Sequence, residues 1–156
     1  MKVAKKKVFI LLMAAVMLIA LCVPVSAKTY KAKKVTAKQI TTELSKKFSI
    51  KDVENYTKKT EGTMIGLKNG YKSKTTFIDK KYPRLYCSIE VFKNSNLAYR
   101  RDGYLEALRI FDDSYGFEHD APFSNYIYKN ILIRLNGHMP KSYEKKYLNA
   151  IKKIVK

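Results

Sequence analysis

Apolar positions recur along this chain with three different spacings, and each spacing marks a different kind of segment. From Val8 to Val23 they run almost without interruption. From residue 36 the spacing becomes helical: Ile40, Leu44 and Phe48 fall four apart in "AKQITTELSKKF", which predicts a helix with one buried stripe and its lysines in water. Thr36 followed by Gln39 is a capping-box pattern, and Val35 with Ile40 matches a hydrophobic staple, so the helix begins there. The period then drops towards two. "VENYT" (53–57) predicts a first strand, followed by a loop through Gly62, Gly66 and Gly70. "YKSKTTFID" (71–79) and "LYCSIEVF" (85–92), rich in β-branched and aromatic residues, predict two more.

Helical spacing returns after Asn94-Ser95-Asn96, which supplies N-cap residues. Leu97, Tyr104, Leu105, Leu108 and Phe111 share a face, with Gly103 weakening the helix by about 1 kcal/mol relative to alanine. "SNYIYKNILIRLN" predicts two short strands around a Lys129-Asn130 turn, asparagine being tolerant of positive φ. Pro140 then opens a last helix whose Tyr143, Tyr147, Ile151 and Ile154 form one stripe. The predicted order is α-β-β-β-α-β-β-α. Strands that follow one another without crossover helices indicate an antiparallel sheet of about five strands with three helices on one face, an α+β domain.

The uninterrupted first stretch changes the picture of where this domain works. A lysine group (Lys2, Lys5, Lys6, Lys7), an apolar core and Val25-Ser26-Ala27 are the three regions of a secretory signal peptide, with cleavage expected after Ala27. Two other readings of the segment are an uncleaved anchor, although Pro24 ends the run short of a full span, and lipidation at Cys22 in "IALC", where a lipobox has a small residue in place of Leu21. Removing 27 of the 156 residues leaves 129, enough for one domain with a real core. Residues 28–35, beginning "KTYKAKK", read as a flexible basic arm, and residues 36–156 as the domain. The mature chain keeps one cysteine, Cys87, so it holds itself together by burial without an internal disulfide. Cys87 alternates with Leu85, Ile89 and Val91, which predicts an inert, buried thiol.

Charge narrows the partners. The chain carries 32 Lys+Arg against 13 Asp+Glu, a formal +19; losing the four leader lysines leaves 28 against 13, or +15. Outside a cell, that charge attracts anionic wall polymer or lipid headgroups. Only five of the cations are arginines, so the bidentate forks that read base edges are scarce, and sequence-specific nucleic-acid binding is not expected.

Little in the chain has the spacing of catalysis. "IGLKNGYKSKTTFID" resembles a phosphate loop only superficially: three residues separate Gly66 from Gly70, Tyr71 stands where lysine is needed, and a strand follows instead of a helix. Asp112, Asp113, Glu118 and Asp120 cluster beside His119 without metal-ligand spacing, and read as loop decoration. His138 lies at a strand-to-helix junction with no hydrolytic signature near it. No enzyme activity, cofactor or metal is expected. Candidate binding residues are Lys72 and Lys74 on the strand after the glycine loop, and Tyr126 and Tyr128 with Arg134 on the adjacent strand, as an aromatic and cationic patch.

The pieces "TAKQITTELSKK", "IGLKNGYKSKTTFID", "SIEVFKN" and "YIYKNILIRLNGHMPKSYEKKYLNAI" together resemble an uncharacterised group of small secreted or lipoprotein-like proteins of Gram-positive bacteria. Members of that group carry Arg-Pro where this chain has Leu67-Lys68, and a longer glycine-containing turn in place of Lys129-Asn130. The resemblance implies location and architecture and brings no site residues. The expectation is a secreted, monomeric binding module held at the anionic cell envelope by its basic surface. The alternatives are an accessory or inhibitor module that binds a secreted protein and, as a third reading, a small hydrolase.

Overall fold

A computed structural model describes residues 35–57, 70–114 and 123–156, with backbone alone at 111–114. The leader, the basic arm, the loop through Gly62 and Gly66, and the Glu118-His119-Asp120 cluster lie outside the described residues. The elements are α1 (Ala37–Ser45), β1 (Ile50–Thr57), β2 (Tyr71–Asp79), β3 (Cys87–Phe92), α2 (Ser95–Ser114), β4 (Ser124–Tyr128), β5 (Ile131–Leu135) and α3 (Lys141–Ile154). The strands form one antiparallel sheet in the order β1-β2-β3-β5-β4. The fold is α+β, in the element order that the hydrophobic spacing predicts.

α1 starts where its residues dictate. The Thr36 hydroxyl accepts from the Gln39 backbone N–H at 3.2 Å, and the Gln39 side chain accepts from the Thr36 N–H at 2.8 Å. A further N–H of the first turn, that of Ala37, donates to Ser73 Oγ on β2 at 2.9 Å, which ties the helix to the sheet. α1 ends at Ser45, so Phe48 lies beyond the helix; its ring still stacks on Tyr147 of α3 with centroids 3.8 Å apart.

The helices do not all sit on one face, and this corrects the sequence expectation. α1 and α3 cover one side, burying Ile40, Leu44, Phe77, Cys87, Ile89, Ile131, Ile133, Leu135, Tyr147 and Ile151 in a single cluster. α2 covers the other, where Ala98, Leu97 and Leu105 meet Tyr71, Phe92, Leu132 and Ile127. β3 is consequently buried at all six positions, the pattern of a strand enclosed from both sides.

Two irregularities tune the sheet. Tyr71 pairs with Phe92 and Ser73 with Val91, so Lys72 is an extra residue on β2. A bulge of this kind shifts the side-chain alternation, and it places Tyr71 on the α2 side while Phe77 points to the α1–α3 side. On the edge strand β1 the register slips between Lys51 and Glu54, with Asp52 at φ 51°. Such a kink on a charged edge discourages pairing with another strand. At the β4–β5 turn the positive φ, 55°, falls on Lys129 and not on Asn130. Asn130 is buried and donates from Nδ2 to the Phe92 carbonyl at 2.5 Å, fastening the hairpin to the end of β3. Among the described residues no helix is long and apolar enough to cross a membrane.

Candidate functional site

Residues directly opposite one another in an antiparallel ladder share a face, so the register fixes which side chains meet. On the α2 side one row runs across all five strands: Glu54, Thr76, Ser88, Arg134 and Asn125. The next row is Tyr56, Lys74, Glu90, Leu132 and Ile127. Five polar residues in one row make this end of the sheet chemically different from the apolar patch at Phe92 and Tyr71.

α2 lays charge on those rows. Its inward stripe is Ala98, Arg101, Asp102 and Leu105, at the one-turn spacing of a helix face. Arg101 Nε lies 3.3 Å from Glu90 Oε2, and Glu90 is fully buried. Asn125 Nδ2 donates to Asp102 Oδ1 at 2.9 Å. Burial pushes the Asp102 carboxyl above its usual range; Glu106 adds to this, while the Asn125 bond and Arg134 oppose it. Burial likewise lowers Arg134, with Arg101 pushing the same way and Tyr86 and Glu90 pulling back. The Arg134 guanidinium carbon sits 4.2 Å from the centre of the Phe123 ring, which in turn lies 5.2 Å from Tyr86.

The candidate residues read from sequence separate into two places. Lys74 and Arg134 both belong to the α2 side, in adjacent rows, with Lys74 Nζ 5.2 Å from the Tyr56 ring centre. Lys72 is exposed at the β2 bulge. Tyr126 and Tyr128 pair with Ile133 and Ile131 and therefore face α1 and α3, so they do not form a patch with Arg134, which pairs with Asn125 on the opposite face. The Tyr126 hydroxyl donates to the buried Glu144 carboxylate at 2.5 Å, and Lys141 Nζ binds the same oxygen at 2.9 Å. The Tyr128 ring is flanked by Lys129 and Lys152, at 5.4 and 5.8 Å. Glu90, Arg101, Asp102, Ser88, Asn125, Tyr86 and Phe123 were not among the residues singled out by sequence. Their signal is present nonetheless: a glutamate inside the apolar strand "CSIEVF", and an Arg-Asp pair on a helical stripe that also holds Ala98 and Leu105.

A second polar group lies within the α1–α3 core. Asp79, fully buried, accepts from Tyr147 at 2.6 Å, from Tyr143 at 3.1 Å and from the Lys81 N–H at 2.8 Å. Burial pushes the Cys87 thiol up to about 12, with Asp79 and Glu144 adding to it and a backbone bond at Asn136 opposing it. A thiol so placed is protonated at neutral pH and is a poor nucleophile. Among the described residues no three His, Cys, Asp or Glu side chains gather as a metal site would need.

The outer surface of the α1–α3 layer is basic. Residues 36–49 and 140–156 carry nine lysines, all exposed, against Glu43 and the buried Glu144. Among the described side chains of α2, Arg100, Arg101 and Arg109 stand against Asp102 and Glu106. One helical layer is thus strongly positive and the other close to balanced. Compared with known protein families, with curated proteins and with solved structures, the chain finds no match in any of the three.

Proposed function

We propose that this is an exported binding module without catalytic activity, which docks through the lysine-bearing surface of α1 and α3 on the phosphate-rich surface of the cell envelope. The observation that carries this reading is the division of charge between the two helical layers, nine exposed lysines on one and a near balance on the other. A solvated surface of mixed charge needs no such division. Lysine ammonium groups are compact point charges on flexible stems, suited to following a repeating array of phosphates and not to reading one shape. Among the described residues, the large hydrophobic side chains that stay exposed, Val53, Tyr86, Tyr99 and Ile110, belong to β1, the β3 approach and α2. The described residues of α1 and α3 therefore offer charge without a large exposed apolar side chain, which favours docking over insertion.

Export rests on the leader pattern, and mass and N-terminal sequencing of the chain from medium, wall and membrane fractions test it. Uncleaved protein in the cytosol would end the reading. Docking is tested by sedimentation with purified wall fragments and with anionic vesicles across a salt series, because screening shortens the reach of such fields to about 10 Å at 0.1 M. Binding should be strong at low salt and lost at high salt, and absence of binding at the lowest salt would refute it. Lys141 joins the basic layer to Glu144, and among the described residues the lysines further along α3 are exposed.

A second reading has one observation in its favour. Tyr99 and Ile110, eleven residues apart on α2, share the outer face of that helix and are 43% and 52% exposed. An accessory module would use them against a secreted protein. Stoichiometric capture of one such protein that survives high salt would favour this second reading over docking by charge.

A further inference from the structure

We propose that α2 is a lid on its side of the sheet, fixed at its first turn and lifting away beyond Ala98 while the sheet and the α1–α3 core stay intact. Burial marks the fixed end. Ser95 and Ala98 are buried, and the Leu97 N–H donates to Asn94 Oδ1 at 3.1 Å. From Tyr99 to Ile110, by contrast, no side chain of α2 is fully buried. The other two helices grip the sheet along their whole lengths, with Ala37, Ile40, Thr41 and Leu44 buried on α1 and Glu144, Tyr147, Ala150 and Ile151 on α3. An element with few buried apolar contacts opens ahead of its neighbours.

What holds α2 beyond Ala98 is mostly polar. Arg101 Nε meets Glu90 Oε2 at 3.3 Å, with the side chains 15% and 0% exposed, and Asn125 Nδ2 donates to Asp102 Oδ1 at 2.9 Å. Leu105, itself only partly buried, adds an apolar contact. A buried ion pair gains little net stability, because its attraction is offset by the lost hydration of both charges. The closed state also leaves bonds unmade: Glu90 Oε1 and Asn125 Oδ1, on the two side chains that α2 itself engages, are buried with no partner among the described residues. Such atoms regain hydration when the helix lifts. Burial holds the Asp102 carboxyl above its usual range as well, so that charge is better solvated in the open state.

The rest of the fold does not depend on α2. β3 is bonded to β2 and β5, and β5 to β4, while the cluster under α1 and α3 contains no described residue of α2. Once released, a helix of this length is marginal in water, and Gly103 in its interior weakens it further. Opening therefore exposes the amides of α2 and uncovers Glu90 and Asn125 together.

This inference stands apart from envelope docking, since it concerns the opposite side of the sheet and no lysine of α1 or α3. The test is amide hydrogen exchange across a urea series, on the chain in the form that accumulates in the expressing cells. Amides from Arg100 to Arg109 should be about 100-fold less protected than those from Tyr147 to Ile151, with a urea dependence above zero and below that of α3. Tyr147→Phe supplies the second readout, because it weakens the α1–α3 core and leaves the seat of α2 untouched. It should speed exchange in α3 about tenfold or more and leave α2 unchanged. Equal protection in the two helices, exchange in α2 with no urea dependence, or acceleration of α2 along with α3 in Tyr147→Phe would each overturn the proposal. The first and last would mean that α2 opens only with the whole fold, and the second that it frays residue by residue.

Discussion

Cys87 shows how burial sets chemistry at a single position. Its thiol, ordinarily near 9.0, is raised to about 12 by burial first and then by Asp79 and Glu144. Tyr143, ordinarily 10.0, is also raised to about 12 by burial and by Asp79. In both, the folded state holds the proton more tightly than the unfolded chain does. The stability this contributes is therefore complete below the unfolded pKa and is lost as pH rises towards the folded one. Urea midpoints should begin to fall above pH 9 and fall more steeply above 10. Cys87→Ala should remove the part of the slope that starts near 9 and leave the tyrosine part; an unchanged slope would show that the thiol is not shielded as described. Tyr147 makes a related case. It donates to the Asp79 carboxylate at 2.6 Å in a fully buried setting, and Tyr147→Phe deletes that bond while keeping the ring on Phe48. A loss of about 1.5–3 kcal/mol is expected from a bond to a charged group, read as a lower urea midpoint with the same m value.

Single elements carry the next set of consequences, and α2 is the most instructive. Gly103 sits in its interior, and a Cβ built there meets nothing within 4 Å. Gly103→Ala should raise stability by about 0.5–1 kcal/mol, because alanine loses less backbone freedom in a helix; a lower melting temperature would mean that the space is occupied. The same helix explains what sequence could and could not convey. The order of elements was legible because helices and strands bury residues at different periods, as Ile40-Leu44 and Cys87-Ile89-Val91 illustrate. The side of the sheet that α2 covers was not legible, because its inward stripe mixes Ala98 and Leu105 with Arg101 and Asp102, and charge on a stripe reads as solvent-facing. The place of Arg134 was legible and was missed. A two-residue turn at Lys129-Asn130 makes Tyr128 face Ile131, which puts Arg134 opposite Asn125 and away from Tyr126 and Tyr128. The β2 bulge had no sequence signal, since Lys72 in "YKSK" continues an ordinary alternation; only the pairing of both Tyr71 and Ser73 with β3 reveals it.

At the scale of the whole molecule the sheet separates a strongly basic helical layer from one whose described charges are close to balance. Exposed lysines contribute little to folding, since surface substitutions away from special features usually change stability by less than about 0.5 kcal/mol. Their number on α1 and α3 must then be judged by what they do at a distance. Each basic side chain near an anionic surface contributes about 1 kcal/mol at moderate salt. Removing two should thus weaken docking by about 2 kcal/mol, or about 30-fold, and reversing them should do more. Lys145 and Lys146 lie side by side on the exposed surface of α3. A paired comparison separates local charge from total charge: Lys145→Glu with Lys146→Glu against Arg100→Glu with Arg109→Glu on α2. Both doubles change the net charge by −4. If α1 and α3 form the docking layer, the lysine double should lose retention on wall fragments and vesicles at low salt by more than 30-fold, while the arginine double loses a small part of it. Both should keep their circular dichroism spectra. Equal losses would mean that the molecule responds to its overall charge and that the partition has no bearing on where it binds.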